Sequence, residues 1–169
     1  MDNRQKVELM YEKYRELERK FPEELDGWLF SVTGLPSARG SGLARVGGCN
    51  FTQKVVVVNA RVVPHLDAAE CVDTLVHEVA HAIAGKDAGH GPKWIEIAKQ
   101  LGASTARYEV AHEVAQISGV PSDLLLKWIL FAEEPDDISR DACQARHALR
   151  LLGVTFALSP VVSEEASWE

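Results

Sequence analysis

No stretch of this chain approaches the roughly 18 consecutive apolar residues of a membrane-spanning helix. Residues 1 to 20 are heavily charged and lack the apolar centre of a signal peptide, so a cytoplasmic location is expected, with no membrane partner. Cysteine is scarce as well. Cys49, Cys71 and Cys143 are far apart and odd in number, which suits buried or free thiols and argues against a disulfide framework. The absence of any CxxC pair excludes a zinc ribbon and any DNA binding through one. Positive charge is in deficit: 18 Lys and Arg against 25 Asp and Glu give a net charge of −7, which disfavours a nonspecific phosphate-binding surface over the whole molecule. DNA is thus a partner that the net charge does not support. What the chain has is 46% hydrophobic residues in 169, enough to bury the core of one domain with a small appendage.

The stretch of greatest chemical content is CVDTLVHEVAHAIAGKDAGHGPKW, residues 71 to 94. His77, Glu78 and His81 form an H-E-x-x-H run, and His90 follows nine residues after the second histidine. Four positions apart on a helix, His77 and His81 project from one face within reach of one metal ion. A bare H-E-x-x-H arises by chance in long helices, but this one sits on the polar side of an apolar helix and is followed by a Gly-His-Gly-Pro turn that offers a further ligand. Three neutral imidazoles would leave the fourth tetrahedral position of one Zn²⁺ to water, whose pKa the ion lowers to about 7. Glu78, about 100° round the helix from His77, is placed to act as general base on that water without being a ligand, and then to pass the proton to a leaving amine.

The helix is specified locally. Asp67 and Glu70 read as a capping box at its start. Val72, Val76, Val79 and Ile83, with Leu75, make its apolar stripe, and Gly85 supplies the left-handed residue that closes it. Downstream, Pro92 opens a second helix that Gly102 stops, with Trp94 anchoring it beneath the metal loop. Tyr108 could donate to the oxyanion formed in peptide hydrolysis, weighed against an ordinary half-buried packing role. Upstream, residues 3 to 21 place Val7, Met10, Tyr11, Tyr14, Leu17 and Phe21 at helical intervals. Strands are expected at Trp28 to Val32, Leu43 to Cys49 and Lys54 to Asn59, the last two as a hairpin, with a Gly-, Pro- and Ser-rich loop at Gly34 to Gly42. Arg39, Arg45, Lys54 and Arg61 all fall in this region and are candidate nucleic-acid or partner contacts, set against the ordinary reading of a solvated face.

These residues are familiar. HEVAHAIAG followed by GHGPKW, and upstream GGCNFTQKVVVVNARVV, resemble the SprT-like zinc metalloprotease family, which includes the Spartan proteases that degrade proteins crosslinked to DNA. The resemblance covers roughly residues 5 to 102. It implies an α+β, zincin-like fold of the minigluzincin type, with a small antiparallel sheet before the active-site helix. It also implies His77, His81 and His90 as ligands of one zinc ion, Glu78 as catalytic acid/base, and a protein or peptide substrate, including DNA-associated or DNA-crosslinked proteins. Restraint of cleavage by a cofactor such as DNA or by tethering of the substrate is a further implication.

The remainder departs from that family. In place of a ribbon stands VAQISGVPSDLLLKWI, residues 114 to 129, with Ala115, Gly119, Val120, Leu125 and Trp128 at helix-turn-helix offsets. Its second helix exposes Leu124 and Leu126, leads into Glu133, Glu134, Asp136 and Asp137, and offers phosphate only Lys127, so a helical pair for packing or protein contact is preferred. Residues 141 to 152 read as another amphipathic helix. The expected organisation is a SprT-like metalloprotease domain at 1–106, a helical extension at 107–158 and an acidic tail at 159–169. Two rival readings stand beside the endopeptidase: a zinc-bearing, non-catalytic adaptor that binds DNA or a protein partner through its C-terminal helices, and a metal-dependent hydrolase of small amides.

Overall fold

The structure is a computed structural model that describes residues 1–35, 45–122 and 124–125. Arg39, most of the second helix of the expected pair, the helix expected at 141–152 and the acidic tail lie outside the described residues. Contacts divide the chain into two units, Met1–Thr105 and Ala106–Glu169.

The first unit is α+β. Helix α1, Asn3–Lys20, opens on a capping box in which Asp2 Oδ1 accepts from Gln5 N at 2.8 Å and Gln5 Oε1 accepts from Asp2 N at 3.0 Å. Met10, Tyr14 and Leu17 are buried along it as the periodicity requires, while Tyr11, expected in the same stripe, is 38% exposed. The helix also buries a lysine that lies outside the apolar series. The Lys6 ammonium donates to the carbonyls of Leu66 at 2.6 Å and Val63 at 3.2 Å, fastening α1 to the short 3₁₀ turn Val63–His65.

Three strands follow: β1, Leu29–Thr33; β2, Gly47–Asn50; and β3, Val55–Asn59. The small sheet expected to be antiparallel is mixed. β3 lies in the middle, antiparallel to β2 with Gly47 opposite Val58, and parallel to β1 with Leu29 opposite Val55. The cause is the long connection after β1. It carries the chain past the position of β3 to the far edge, and the hairpin then returns β3 into the gap alongside β1. The hairpin turn is built on Asn50, whose Oδ1 accepts from Thr52 N and Gln53 N, both at 3.1 Å.

Asn59, at the end of β3, is fully buried and stitches both feet of that connection together. Its Nδ2 donates to Arg45 O at 2.6 Å, and its Oδ1 accepts from Leu35 N at 3.4 Å and Arg61 N at 3.1 Å. Its own N–H donates to Val46 O at 2.8 Å. The start of β2 is therefore held by a satisfied buried amide as well as by the strand ladder.

Helix α2, Ala68–Ala84, packs on the sheet, and α3, Pro92–Leu101, packs on α2. The sheet's fully buried Val56 and Val58 and the helical Leu75, Val79, Trp94 and Ala98 form the core between them. In the second unit, α4 runs Ala106–Ser118 with Ala111 and Val114 fully buried, and Gly119, at φ +73°, ends it. The Pro121 carbonyl then accepts from the N–H groups of Leu124 and Leu125, both at 3.1 Å, beginning a new helical turn. Among the described residues no helix is long and apolar enough to cross a membrane.

Candidate metal centre

Local chemistry sets α2 in place. Asp67 Oδ1 accepts from Glu70 N at 2.8 Å and Glu70 Oε2 accepts from Asp67 N at 2.7 Å, the reciprocal box expected from the sequence. Cys71, Leu75, Val76 and Val79 form the buried side, while Val72 and Ile83, expected in the stripe, are only half-buried. At the other end Gly85 takes φ +92°, outside the left-handed helical region but still open mainly to glycine, and its N–H donates to His81 O at 3.0 Å. Lys93 Nζ donates to Ala84 O at 2.6 Å and satisfies another terminal carbonyl. A short 3₁₀ turn, Lys86–Ala88, and Gly89 at φ +50° then bring His90 back over the helix.

The result is a convergence of three imidazoles. His90 Nε2 lies 3.1 Å from His81 Nε2 and 3.1 Å from His77 Nε2, and one donor atom from each ring falls within 4.8 Å of the other two. Hydrogen bonding among neutral rings accounts for this poorly. A single proton on His90 Nε2 serves one neighbour, and its absence leaves one lone pair for two donors. A shared cation uses all three lone pairs at once. Zinc–nitrogen bonds of about 2.0–2.1 Å at tetrahedral angles hold donor atoms roughly 3.3 Å apart, so this donor set fits the ion.

Trp94 forms the floor. Its fully buried ring lies 4.7 Å from His77, 4.7 Å from His90 and 5.3 Å from His81, centroid to centroid. The sequence placed it under the loop; the structure puts it against all three imidazoles. Such surroundings favour the neutral, lone-pair-bearing rings that a metal needs. Burial drives His77 down to about 3, helped by His81 and His90, and drives His81 down to about 4, helped by His90. Burial lowers His90 too.

Glu78 lies beside the cluster with its carboxyl laid against β2. A Cβ added at Gly47 would stand 2.8 Å from Glu78 Oε1 and 2.9 Å from its Cγ. Only a residue without a side chain lets the carboxyl occupy that seat. Gly47 was missed in the sequence, although a glycine inside a strand is itself a signal of close approach. Burial raises the Glu78 carboxyl to about 7, and the nearby Arg45 charge pulls it back down. Cys49, on the same face of β2, is pushed up to about 12 by burial and by Glu78, so its thiol stays protonated.

The other candidate residues have separate environments. Arg45, close enough to Glu78 to lower its carboxyl, is exposed and lines a groove along β2. Lys54 donates to Asp26 O at 2.9 Å, and Arg61 is exposed beyond the end of β3. Tyr108 stands half-buried on α4, in the second unit.

These pKa values give the metal-free protein an acid-sensitive stability. Below pH 6.5 the unfolded chain protonates its histidines while the folded chain holds His77 neutral to about 3 and His81 to about 4, so stability present above 6.5 drains away as pH falls through that window. Each such histidine costs about 1.4 kcal/mol per pH unit. Glu78 opposes this between about 7 and 4.5, because its folded form takes up a proton first, but one carboxyl offsets only one histidine. Urea unfolding of chelator-treated protein between pH 7.5 and about 4.5 should show a steep net loss. A flat profile would mean that the imidazoles are not held neutral.

An α+β domain in which the two histidines of an H-E-x-x-H helix meet a third across a turn, with a half-buried glutamate next to the first, has the architecture of an H-E-x-x-H metal-site protein. The chain belongs to the SprT-like family, whose model matches residues 15–114. Neither the curated proteins nor the solved structures contain a match to it. Family and site together support a metalloprotease-like role.

Proposed function

We propose that the protein is a zinc-dependent endopeptidase in which His77, His81 and His90 hold one zinc ion and Glu78 is the general base. The observation that carries this reading is the pairing of three convergent neutral imidazoles with a carboxyl seated on Gly47. A zinc ion held there would supply Lewis acidity toward water and a scissile carbonyl. The protein does the rest. Trp94 and the turn after α2 hold the three rings in register, and the seat on β2 aims the Glu78 carboxylate. Glu78 takes a proton from the attacking water and delivers it to the leaving amine nitrogen, and a folded pKa near neutrality suits both transfers.

β2 supplies the natural place for substrate. Among the described residues it pairs only with β3, so its outer edge can accept an extended peptide by backbone hydrogen bonding. An oxyanion-donor role for the Tyr108 hydroxyl is tested by Tyr108→Phe, in which an unchanged kcat would exclude it. DNA, as activator or as carrier of the substrate, gates the cleavage; rapid cutting of free folded proteins by the isolated chain would refute such gating.

The test is metal dependence. Purified protein should carry one zinc per chain, cleave unfolded casein, lose that activity on chelation and regain it with stoichiometric zinc. Zinc bound with no cleavage, with or without single-stranded DNA, would favour the non-catalytic adaptor. Turnover of small amides without casein cleavage would favour the small-amide hydrolase.

A further inference from the structure

A groove of about 620 Å³ runs along β2 and reaches the face of the sheet turned away from α2. The alternation of strands decides what lies there. Gly47 and Cys49 face Glu78 and α2, so Gly48 and Asn50 face the other way, on the same side as Val57 and Val55 and, across β3, Ser31 and Thr33. Ser31, Thr33, Val55 and Val57 line it from that face and Cys49 from the other, and Arg45 and Lys86 line it too, Arg45 also lying near enough to Glu78 to lower its carboxyl. Among the described residues no acidic one lines it, in a chain of net charge −7. Among the described residues neither Arg45 nor Lys86 is ion-paired, and both are exposed.

This groove adjoins the free edge of β2. A strand added to that edge would send alternate side chains to opposite faces: those opposite Gly47 and Cys49 toward Glu78, those opposite Gly48 and Asn50 over the groove. Resting on the endopeptidase reading above, we propose that the groove is a specificity site for acidic polypeptide, with Arg45 and Lys86 receiving Asp or Glu side chains from alternate positions of a substrate strand laid along β2. Two cations give charge complementarity to a peptide carboxylate but make a small footprint for a nucleic acid, whose affinity grows with the number of phosphates neutralised.

The experiment uses the full-length chain as zinc-loaded Glu78→Gln, so that peptides bind without being cut. Two fluorescent unstructured peptides are compared, identical except that Glu at alternate positions in one is Gln in the other. Binding is measured at low and high salt, with a single-stranded oligodeoxynucleotide as competitor. The acidic peptide should bind roughly five- to tenfold tighter at low salt, as two exposed ion pairs allow, and lose that margin at high salt. Adding Arg45→Glu and Lys86→Glu should invert the preference toward a Lys-substituted twin, with an unchanged melting temperature confirming the fold. Equal binding of the twins, a preference that survives charge reversal, or displacement of the peptide by the oligonucleotide at lower concentration each overturns the proposal. Casein cleavage by wild type is scored separately: cleavage without acidic preference sinks the groove alone, whereas zinc-loaded wild type that cuts nothing sinks the protease reading.

Discussion

Replacing Glu78 by Gln should leave one zinc per chain in place and reduce peptide cleavage by roughly 10²- to 10⁴-fold in kcat, the share a positioned general base supplies. Glutamine matches glutamate in shape, so it should take the same seat against Gly47, and the three histidines proposed to hold the ion are untouched. What vanishes is the basicity of the carboxylate, since an amide oxygen accepts a hydrogen bond but does not take the proton. The same substitution should make the metal-free protein more stable. The Glu78 carboxyl is raised from 4.5 to about 7 chiefly by burial, so above pH 7 its ionised form opposes folding by up to roughly 3 kcal/mol, a cost that a neutral amide does not carry. Loss of activity with gain of stability is the pattern of a group kept for chemistry. Atomic absorption, casein turnover and urea unfolding on the two proteins decide the matter. Unchanged turnover would end the general-base assignment, and loss of zinc would mean that Glu78 helps to build the site.

Gly47→Ala is expected to act at a distance from the metal with nearly as large a consequence. The new methyl would stand 2.8 Å from Oε1 and 2.9 Å from Cγ of Glu78, distances that force one of them to move. The backbone at Gly47 is not among the positive-φ glycines, so alanine brings no conformational strain of its own there. The side chain of Glu78 is the softer partner and should swing off its seat. A displacement of about 1 Å at a catalytic group can cost on the order of 10²-fold in rate. Zinc content should stay at one per chain and the melting temperature should change little. Wild-type kcat in Gly47→Ala would show that the carboxyl tolerates other positions and that the seat on β2 does not aim it.

The parts of this protein that could be read from the sequence are those fixed by short-range geometry. His77 and His81 meet because residues four apart on a helix share a face, and the capping box at Asp67 and the stop at Gly102 depend on neighbours within one turn. Trp94 was legible for the same reason, standing four residues after a ligand candidate at the start of its own helix. What escaped is set by contacts distant in sequence. The parallel pairing of β1 with β3 depends on where a long connection deposits β2, and alternation of residues within a strand contains nothing about order or direction. Lys6 looked like one more solvated lysine because its carbonyl partners lie 57 and 60 residues away. Asn59 read as the polar end of a valine strand, with no sign that its amide would be fully buried. The four cations grouped by their nearness in the sequence have separate surroundings: Arg45 faces the groove, Lys54 is engaged by Asp26, Arg61 lies past β3, and Arg39 falls outside the described residues.

The amide of Asn59 also bears on the strand beside Glu78. Leu35 and Arg45 are fastened to one side chain, and Arg45 leads within two residues to the seat of Glu78. Two residues ten apart in the sequence therefore share one anchor within the described domain. One buried asparagine thus fixes where β2 begins, and with it the point of the strand at which Gly47 meets Glu78.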